Sequence, residues 1–245
     1  MSISKKYFFW LALSGTIWAA PAITPQTFNL NSIMGTEQFS QNVMLMLSLA
    51  LISLLPFLLM ATTSFLRIVI VLGFVRSAIG TQQTPPSSII ISIALFLTVY
   101  VMTPVWQEIN ATALQPYQSG ALTQQAAWEK GLLPLKNFMI RQTREKDLVL
   151  FIEFSKIPPI TDLNAVPMYV LMPAFILSEL TTAFKIAFVI FAPFVVVDMV
   201  VSNVLLSLGM FMLSPVMISL PFKILLFVLA DGWYLIVQGL MQSFL

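Results

Sequence analysis

The chain has 245 residues, of which 58% are hydrophobic and only 9% are charged, and its mean hydropathy is +0.92. Because a soluble domain carries about a quarter charged residues, this composition indicates an integral membrane protein or a subunit buried in a membrane assembly. The formal charge of +2, with no basic stripe that alternates with aromatic residues, argues against nucleic-acid binding. Cysteine and histidine are both absent from the sequence, which excludes disulfides, thiolate metal sites and histidine general bases, and no cofactor is expected.

The N-terminus has the pattern of a secretory signal peptide. Lys5 and Lys6 precede the apolar stretch YFFWLALSGTIWAA, and Ala20 and Ala22 fit the −3 and −1 positions of a cleavage site. We expect cleavage after Ala22, which leaves a periplasmic N-terminal segment at 23–41. The alternative is a retained first helix, for which 14 residues are short, since a span needs about 20.

Long apolar blocks follow, and hydropathy divides them into four nominal spans: 43–66, 88–106, 168–190 and 210–244. The block 166–197 would reach about 48 Å as one helix, against about 30 Å of hydrocarbon in a bilayer. We therefore expect this block to tilt, to break near Pro173 or Pro193, or to pack on protein rather than lipid. The block 43–75 is over-long in the same way.

The segment 107–165 differs from its surroundings because it contains six basic and six acidic residues. Its amphipathic stretches predict a small, mainly helical domain with a modest core. If the N-terminus lies outside the inner membrane of a bacterium, this segment lies in the periplasm as well. Arg67 and Arg76 then fall on the cytoplasmic side, as the positive-inside rule prefers.

Four charged residues in the last apolar region are candidates for a role in assembly: Glu179, Lys185, Asp198 and Lys223. Glu179 and Lys185 are six positions apart, about 240° around a helix, so they do not share a face. Partners must therefore come from another segment or another subunit. A proton relay through Glu179 and Asp198 is the alternative interpretation.

The sequence contains no phosphate-binding loop of the form G-x-x-x-x-G-K-[ST], no G-x-S-x-G and no H-E-x-x-H. We therefore predict that this chain is not an enzyme and hydrolyses no nucleotide.

Three long stretches resemble the FliP family of flagellar type III secretion export-gate proteins, which is related to a subunit of the virulence injectisome (SctR). These stretches are TSFLRIVIVLGFVRSAIGTQQTPP (63–86), PAFILSELTTAFKIAF (173–188) and LGMFMLSPVMISLPFKILLFVLADGW (208–233). The similarity extends from Asn42 to the C-terminus, and the signal peptide favours the flagellar branch.

The resemblance implies a homo-oligomer that assembles with FliQ, FliR and other membrane proteins of the flagellar export apparatus. Unfolded flagellar subunits would cross the inner membrane through this assembly. It also implies an all-α fold of long bent helical hairpins, with a small helical periplasmic insertion. The expected organisation is a signal peptide at 1–22, a periplasmic segment at 23–41, a first hairpin at 42–106, a periplasmic domain at 107–165 and a second hairpin region with a pore loop at 166–245. A secondary transporter and a non-conducting assembly scaffold are the alternatives.

The stretch GMFMLSP interrupts the last apolar region. Gly209 weakens a helix and Pro215 removes a backbone donor, so a loop is expected between them. Methionine is unbranched and polarisable and repacks around many shapes. Together with the resemblance, this predicts that Met210, Phe211 and Met212 form a gasket around a pore; ordinary core packing is the other interpretation of these methionines.

Overall fold

The computed structural model describes residues 36–81, 83–155 and 162–244, with side chains from residue 41 onward. The predicted signal peptide and its cleavage site at Ala22 lie outside the described residues. The helices are α1 (Thr36–Thr62), α2 (Phe65–Ile79), α3 (Ser87–Ile109), α4 (Gln115–Gln118), α5 (Gln124–Gln142), α6 (Glu145–Ser155), α7 (Met168–Ser207), α8 (Pro215–Leu229) and α9 (Gly232–Gln242). A π-helical turn (Asn110–Leu114) joins α3 to α4, and a 3₁₀ turn (Leu163–Ala165) precedes α7. The all-α prediction is confirmed, because the structure is 85% helical and contains no strand in the described ranges.

Helix ends coincide with residues that stop or start helices. Gly80 ends α2 in the left-handed conformation at φ +89°, which favours glycine. Thr123 caps α5, since its hydroxyl accepts a hydrogen bond from the Ala126 N–H at 3.3 Å. Pro215 occupies the first turn of α8, where proline is tolerated because a backbone N–H at this position has no partner within the helix.

The chain divides into two units, with the boundary between Ser53 and Leu54. In the first unit, the described part is the beginning of α1, whose side chains from residue 41 are all exposed. The second unit contains the buried core, the ion pairs and the loop after α7.

Helix α7 is the centre of the second unit, and buried residues of α7 belong to three apolar clusters. The first cluster joins α7 to α3, α5 and α6 around Phe175, Met139 and Met102. The second joins α7 to α2, α3 and α9, and the third joins it to α2 and α8 through Phe194 and Phe227. The core is therefore organised along one helix, with 107–165 packed at its N-terminal end.

The apolar block 166–197, which is longer than a membrane span, lies almost entirely within the single helix α7. It runs unbroken for 40 residues through both Pro173 and Pro193, about 60 Å. Of the three expectations for this block, the break near either proline is therefore excluded, and the helix ends at Ser207.

Three helical stretches are long and apolar enough to cross a membrane: Gln41–Thr62, Ser87–Gln118 and Met168–Ser207. A fourth candidate is the pair α8 and α9, bent by 63° where Asp231 takes φ +50° and Gly232 follows. This number agrees with the four spans expected from hydropathy.

The predicted separation of Arg67 from the 107–165 segment is wrong. The chain turns at Thr63 and Ser64, and Nη2 of Arg67 then lies 2.9 Å from Oε1 of Gln142, a residue of the 107–165 segment. Arg67 therefore lies at the same end of the fold as this segment and not across the membrane from it. The block 43–75 is over-long because it contains two helices, α1 and α2, and not one span.

Candidate functional site: two ion pairs and an exposed methionine loop

The first ion pair is buried near the start of α2. Arg67 donates two hydrogen bonds to Glu179 of α7, from Nε to Oε2 at 2.8 Å and from Nη2 to Oε1 at 2.5 Å. Arg67 is 2% exposed and Glu179 is fully buried. Removing one partner of such a pair strongly destabilises the folded protein, because the other charge is then buried without compensation.

Other side chains complete this network. Gln142, at the end of α5, accepts from Nη2 of Arg67, and Ser243 accepts from Nη1 through both its carbonyl and its hydroxyl, at 2.7 and 3.1 Å. The Phe244 ring covers the guanidinium, with Cζ 4.0 Å from the ring centroid. The site thereby joins α2, α5, α7 and the residues that follow α9.

A second contact beside the ion pair attaches the turn between α5 and α6. The hydroxyl of Ser178 accepts from the Arg144 N–H at 2.9 Å and donates to the Gln142 carbonyl at 3.2 Å. Arg144 pairs with Asp147 across one helical turn. Ser178 thus holds this turn directly, while its neighbour Glu179 reaches it only through Arg67 and Gln142.

The second ion pair lies towards the C-terminal end of α7. Nζ of Lys223 on α8 lies 2.5 Å from Oδ2 of Asp198, and the Ser219 hydroxyl donates to Oδ1 at 2.5 Å. Side-chain exposure is 5% for Lys223 and 31% for Asp198. A Cβ at Gly80 would lie 4.0 Å from Nζ, so the lysine also approaches the C-terminus of α2, where the helix dipole favours a cation.

These contacts account for three of the four charges that the sequence singled out. Glu179, Asp198 and Lys223 have partners in other segments of the same chain, which confirms that the partners do not come from their own helix. Lys185 is exposed on α7 and makes no ion pair with any residue that the structure describes. The assembly role of all four residues stays a prediction.

The stretch from Gly209 to Ser214 is a loop between α7 and α8, as the two flanking residues predicted. Gly209 takes φ +72°, and the Met210 N–H donates to the Leu205 carbonyl at 2.9 Å, which closes the end of α7. Exposure is 46% for Met210, 75% for Phe211 and 100% for Met212. Within this chain, the three side chains therefore do not pack in the core, and their role as a gasket stays a prediction.

Sequence reasoning missed Gln142, Ser219, Ser243 and Phe244, because nothing in a single sequence marks them. It used Arg67 only as a positive charge that bears on topology. Its position among apolar residues is the same signal that identified Glu179. In the described part of the chain, no three His, Cys, Asp or Glu side chains are grouped so that they could hold a metal ion.

Comparison with known proteins identifies related chains. The model of the FliP family matches residues 43–240. The flagellar biosynthetic protein FliP of Bacillus subtilis (strain 168) is 50% identical over 216 residues, which cover 88% of this chain and 98% of the relative. The proteins of the same name in Pectobacterium carotovorum subsp. carotovorum and Aquifex aeolicus (strain VF5) are 43% and 40% identical. They cover 96% and 95% of this chain, and the matches span 90% and 98% of these relatives.

Proposed function

The chain belongs to the FliP family, and from this premise we propose that it is a pore-forming subunit of the flagellar type III protein export gate. Copies of the chain oligomerise and assemble with FliQ, FliR and other membrane proteins of the export apparatus. Unfolded flagellar subunits pass through the assembly across the inner membrane. The chain catalyses no reaction, and the energy comes from a separate ATPase and the proton motive force.

The single observation that carries this proposal is the exposed loop after α7. Large apolar side chains at 75% and 100% exposure, Phe211 and Met212, are costly to leave in water. An irregular loop is also costly in lipid, because its backbone N–H and C=O groups find no partners there. A cavity lined by protein avoids both costs, and a pore shared by several copies provides such a cavity.

The second ion pair supports this role because it fixes the hairpin that carries the loop. Asp198 lies 11 positions before Gly209, and Ser219 and Lys223 follow the loop on α8. Their contacts bridge the two arms of the hairpin. The loop itself has no comparable polar contacts in the described structure, so its side chains are free to adapt while its base stays fixed.

In the proposed mechanism, Met210, Phe211 and Met212 of each copy meet at a common axis and exclude water and ions. The flexible methionines repack around a passing polypeptide without fixed chemistry. The apolar ring then closes again when the polypeptide has left.

Large unpartnered apolar surfaces support an assembly with other subunits. The described side chains from Val43 to Met60 of α1 are all exposed. Exposed apolar patches of this size mark contacts with protein or membrane. The over-long helix α7 is also explained if part of it is covered by neighbouring subunits rather than by lipid.

The transporter alternative gains no support from the two carboxylates on which it depends. Glu179 is fully buried and bonded twice to Arg67, and Asp198 is bonded to Lys223 and Ser219. Both are therefore occupied by contacts within the fold.

Cysteine crosslinking tests the proposed pore, and the absence of native cysteine keeps the background low. In cells that export flagellar subunits, Met212→Cys is expected to crosslink to a cysteine-bearing substrate stalled in transit. Met217→Cys is the matched control, since Met217 is 68% exposed but lies on α8 outside the loop. Equal crosslinking at the two positions, or none at Met212, would contradict the proposal.

The proposed periplasmic location of 107–165 has its own test. Glu129→Cys is expected to react with a membrane-impermeant reagent added to the periplasmic side, because Glu129 is exposed on α5. Lys136 is less suitable, because its side chain is partly buried and donates to the Asn164 carbonyl. The same burial lowers the pKa of Lys136, and nearby Asp162 offsets that shift only in part. Labelling of Glu129→Cys only in inverted vesicles would overturn the location.

A further inference from the structure

The buried Arg67 site has a hydrogen-bonding shell that is complete only with the residues after α9. A guanidinium has five N–H donors. Two are used by Glu179 and one by Gln142. The remaining two, on Nη1, donate to the carbonyl and hydroxyl of Ser243. All five donors are therefore satisfied, which a 2% exposed arginine requires.

Phe244 adds three further contacts. Its ring lies over the guanidinium, and its carbonyl accepts from Nε2 of Gln142 at 3.3 Å. Because Oε1 of Gln142 accepts from Arg67, this second bond fixes the orientation of the Gln142 amide. The ring also packs against two of the three apolar clusters, one containing the α5 and α6 residues and one containing the α2 and α9 residues.

We infer that Ser243 and Phe244 are positioning residues for Arg67. They orient its guanidinium so that it holds Glu179 of α7 and Gln142 of α5 at the same time. The segment after α9 thereby acts as a clasp that attaches the turn between α5 and α6 to the membrane helices. This inference does not depend on the proposed pore, because it concerns how one subunit holds its own helices together.

The clasp predicts a local effect when it is removed. Without Ser243, two N–H donors of a buried cation lose their acceptors, and without Phe244 the guanidinium loses its aromatic cover. Arg67 then turns towards other acceptors, Gln142 loses a fixed partner, and the turn at residues 143–147 opens more often. The start of this stretch is also held by Ser178, through the Gln142 carbonyl and the Arg144 N–H.

Amide hydrogen exchange of the assembled protein in detergent tests the clasp. In Phe244→Leu, which retains an apolar side chain without an aromatic face, exchange at residues 143–147 is expected to rise about tenfold. Deletion of residues 243–245 is expected to raise it at least as much. Phe244→Tyr, which keeps the ring, is expected to exchange at the wild-type rate.

Phe188→Leu is the matched control, because Phe188 is 77% exposed on α7 and lies outside the network. Its exchange at residues 143–147 is expected to be unchanged. Unchanged exchange after the deletion would overturn the clasp. An equal rise in Phe244→Leu and Phe244→Tyr would overturn the role of the aromatic face, and an equal rise in Phe188→Leu would overturn the local connection.

Discussion

The two ends of α7 carry ion pairs of different character. At the end near the 107–165 segment, Glu179 is fully buried, and its partner Arg67 has an acceptor for each of its donors. Towards the other end, Asp198 remains 31% exposed beside Lys223, and the chain leaves α7 through a loop whose apolar side chains are exposed.

The difference separates a fixed part of the molecule from an adaptable one. A network with every donor satisfied in a dry site has one favourable arrangement, because each alternative leaves a polar group without a partner. Exposed methionines have many arrangements of similar energy. The fold therefore holds its helices in one arrangement at one end of α7 and exposes an adaptable loop at the other end.

The largest expected effect is from breaking the buried pair. Glu179→Ala leaves the Arg67 cation buried without its carboxylate and is expected to lower the free energy of unfolding by about 3–5 kcal/mol. The yield of assembled oligomer from the membrane should fall accordingly. Lys185→Ala is the control for the unfolding measurement alone, since Lys185 is exposed on the same helix and its role in assembly is a separate prediction. Normal assembly of Glu179→Ala would show that the first site is not a fixed structural centre.

A smaller loss of stability is expected from breaking the second ion pair, towards the C-terminal end of α7. Lys223→Ala removes one charged hydrogen bond from a partly exposed carboxylate, and a loss of about 2–3 kcal/mol in unfolding free energy is expected. Thermal unfolding in detergent measures it. The double variant Asp198→Lys with Lys223→Asp should recover part of the loss of the single variants. No recovery would mean that direct pairing of these two residues is not what stabilises the hairpin.

A still smaller effect is expected at the bend between α8 and α9. A Cβ at Gly232 would lie 2.3 Å from Cε2 of Phe227, whose ring packs edge-on against Trp233 at 5.2 Å. Gly232→Ala therefore forces the ring to move and is expected to cost about 1–2 kcal/mol. Gly239→Ala on the same helix meets nothing within 4 Å and should stabilise by about 0.5–1 kcal/mol. Equal unfolding midpoints for the two variants would contradict this account of the bend.

The sequence predicted the helical class, the number of candidate spans and the loop at Gly209, because each depends on local signals such as hydropathy, chain length and helix-breaking residues. It did not decide between a tilted and a broken helix at Pro173 and Pro193, since tertiary packing decides whether a proline breaks a helix. It also separated Arg67 from the 107–165 segment, because hydropathy does not detect a turn between two apolar helices at Thr63 and Ser64.

The partners of the buried charges were beyond sequence reasoning for a different reason. Arg67 and Glu179 are 112 positions apart, and Arg67 and Ser243 are 176 apart. Helical periodicity constrains neighbours only within a few turns. Contacts over such separations follow from the packing of α2, α7 and the residues after α9, which one sequence does not specify.

Ion leakage through the assembled complex tests the central claim, that the loop after α7 seals a pore. Met210→Ala combined with Met212→Ala should change stability by less than about 0.5 kcal/mol, since both side chains are exposed. The membrane conductance of cells or vesicles that contain the assembled double variant should nevertheless rise well above wild type. Met217→Ala, an equally simple truncation outside the loop, should leave it unchanged. A double variant that assembles in normal amount and leaves the membrane as tight as wild type would contradict the claim.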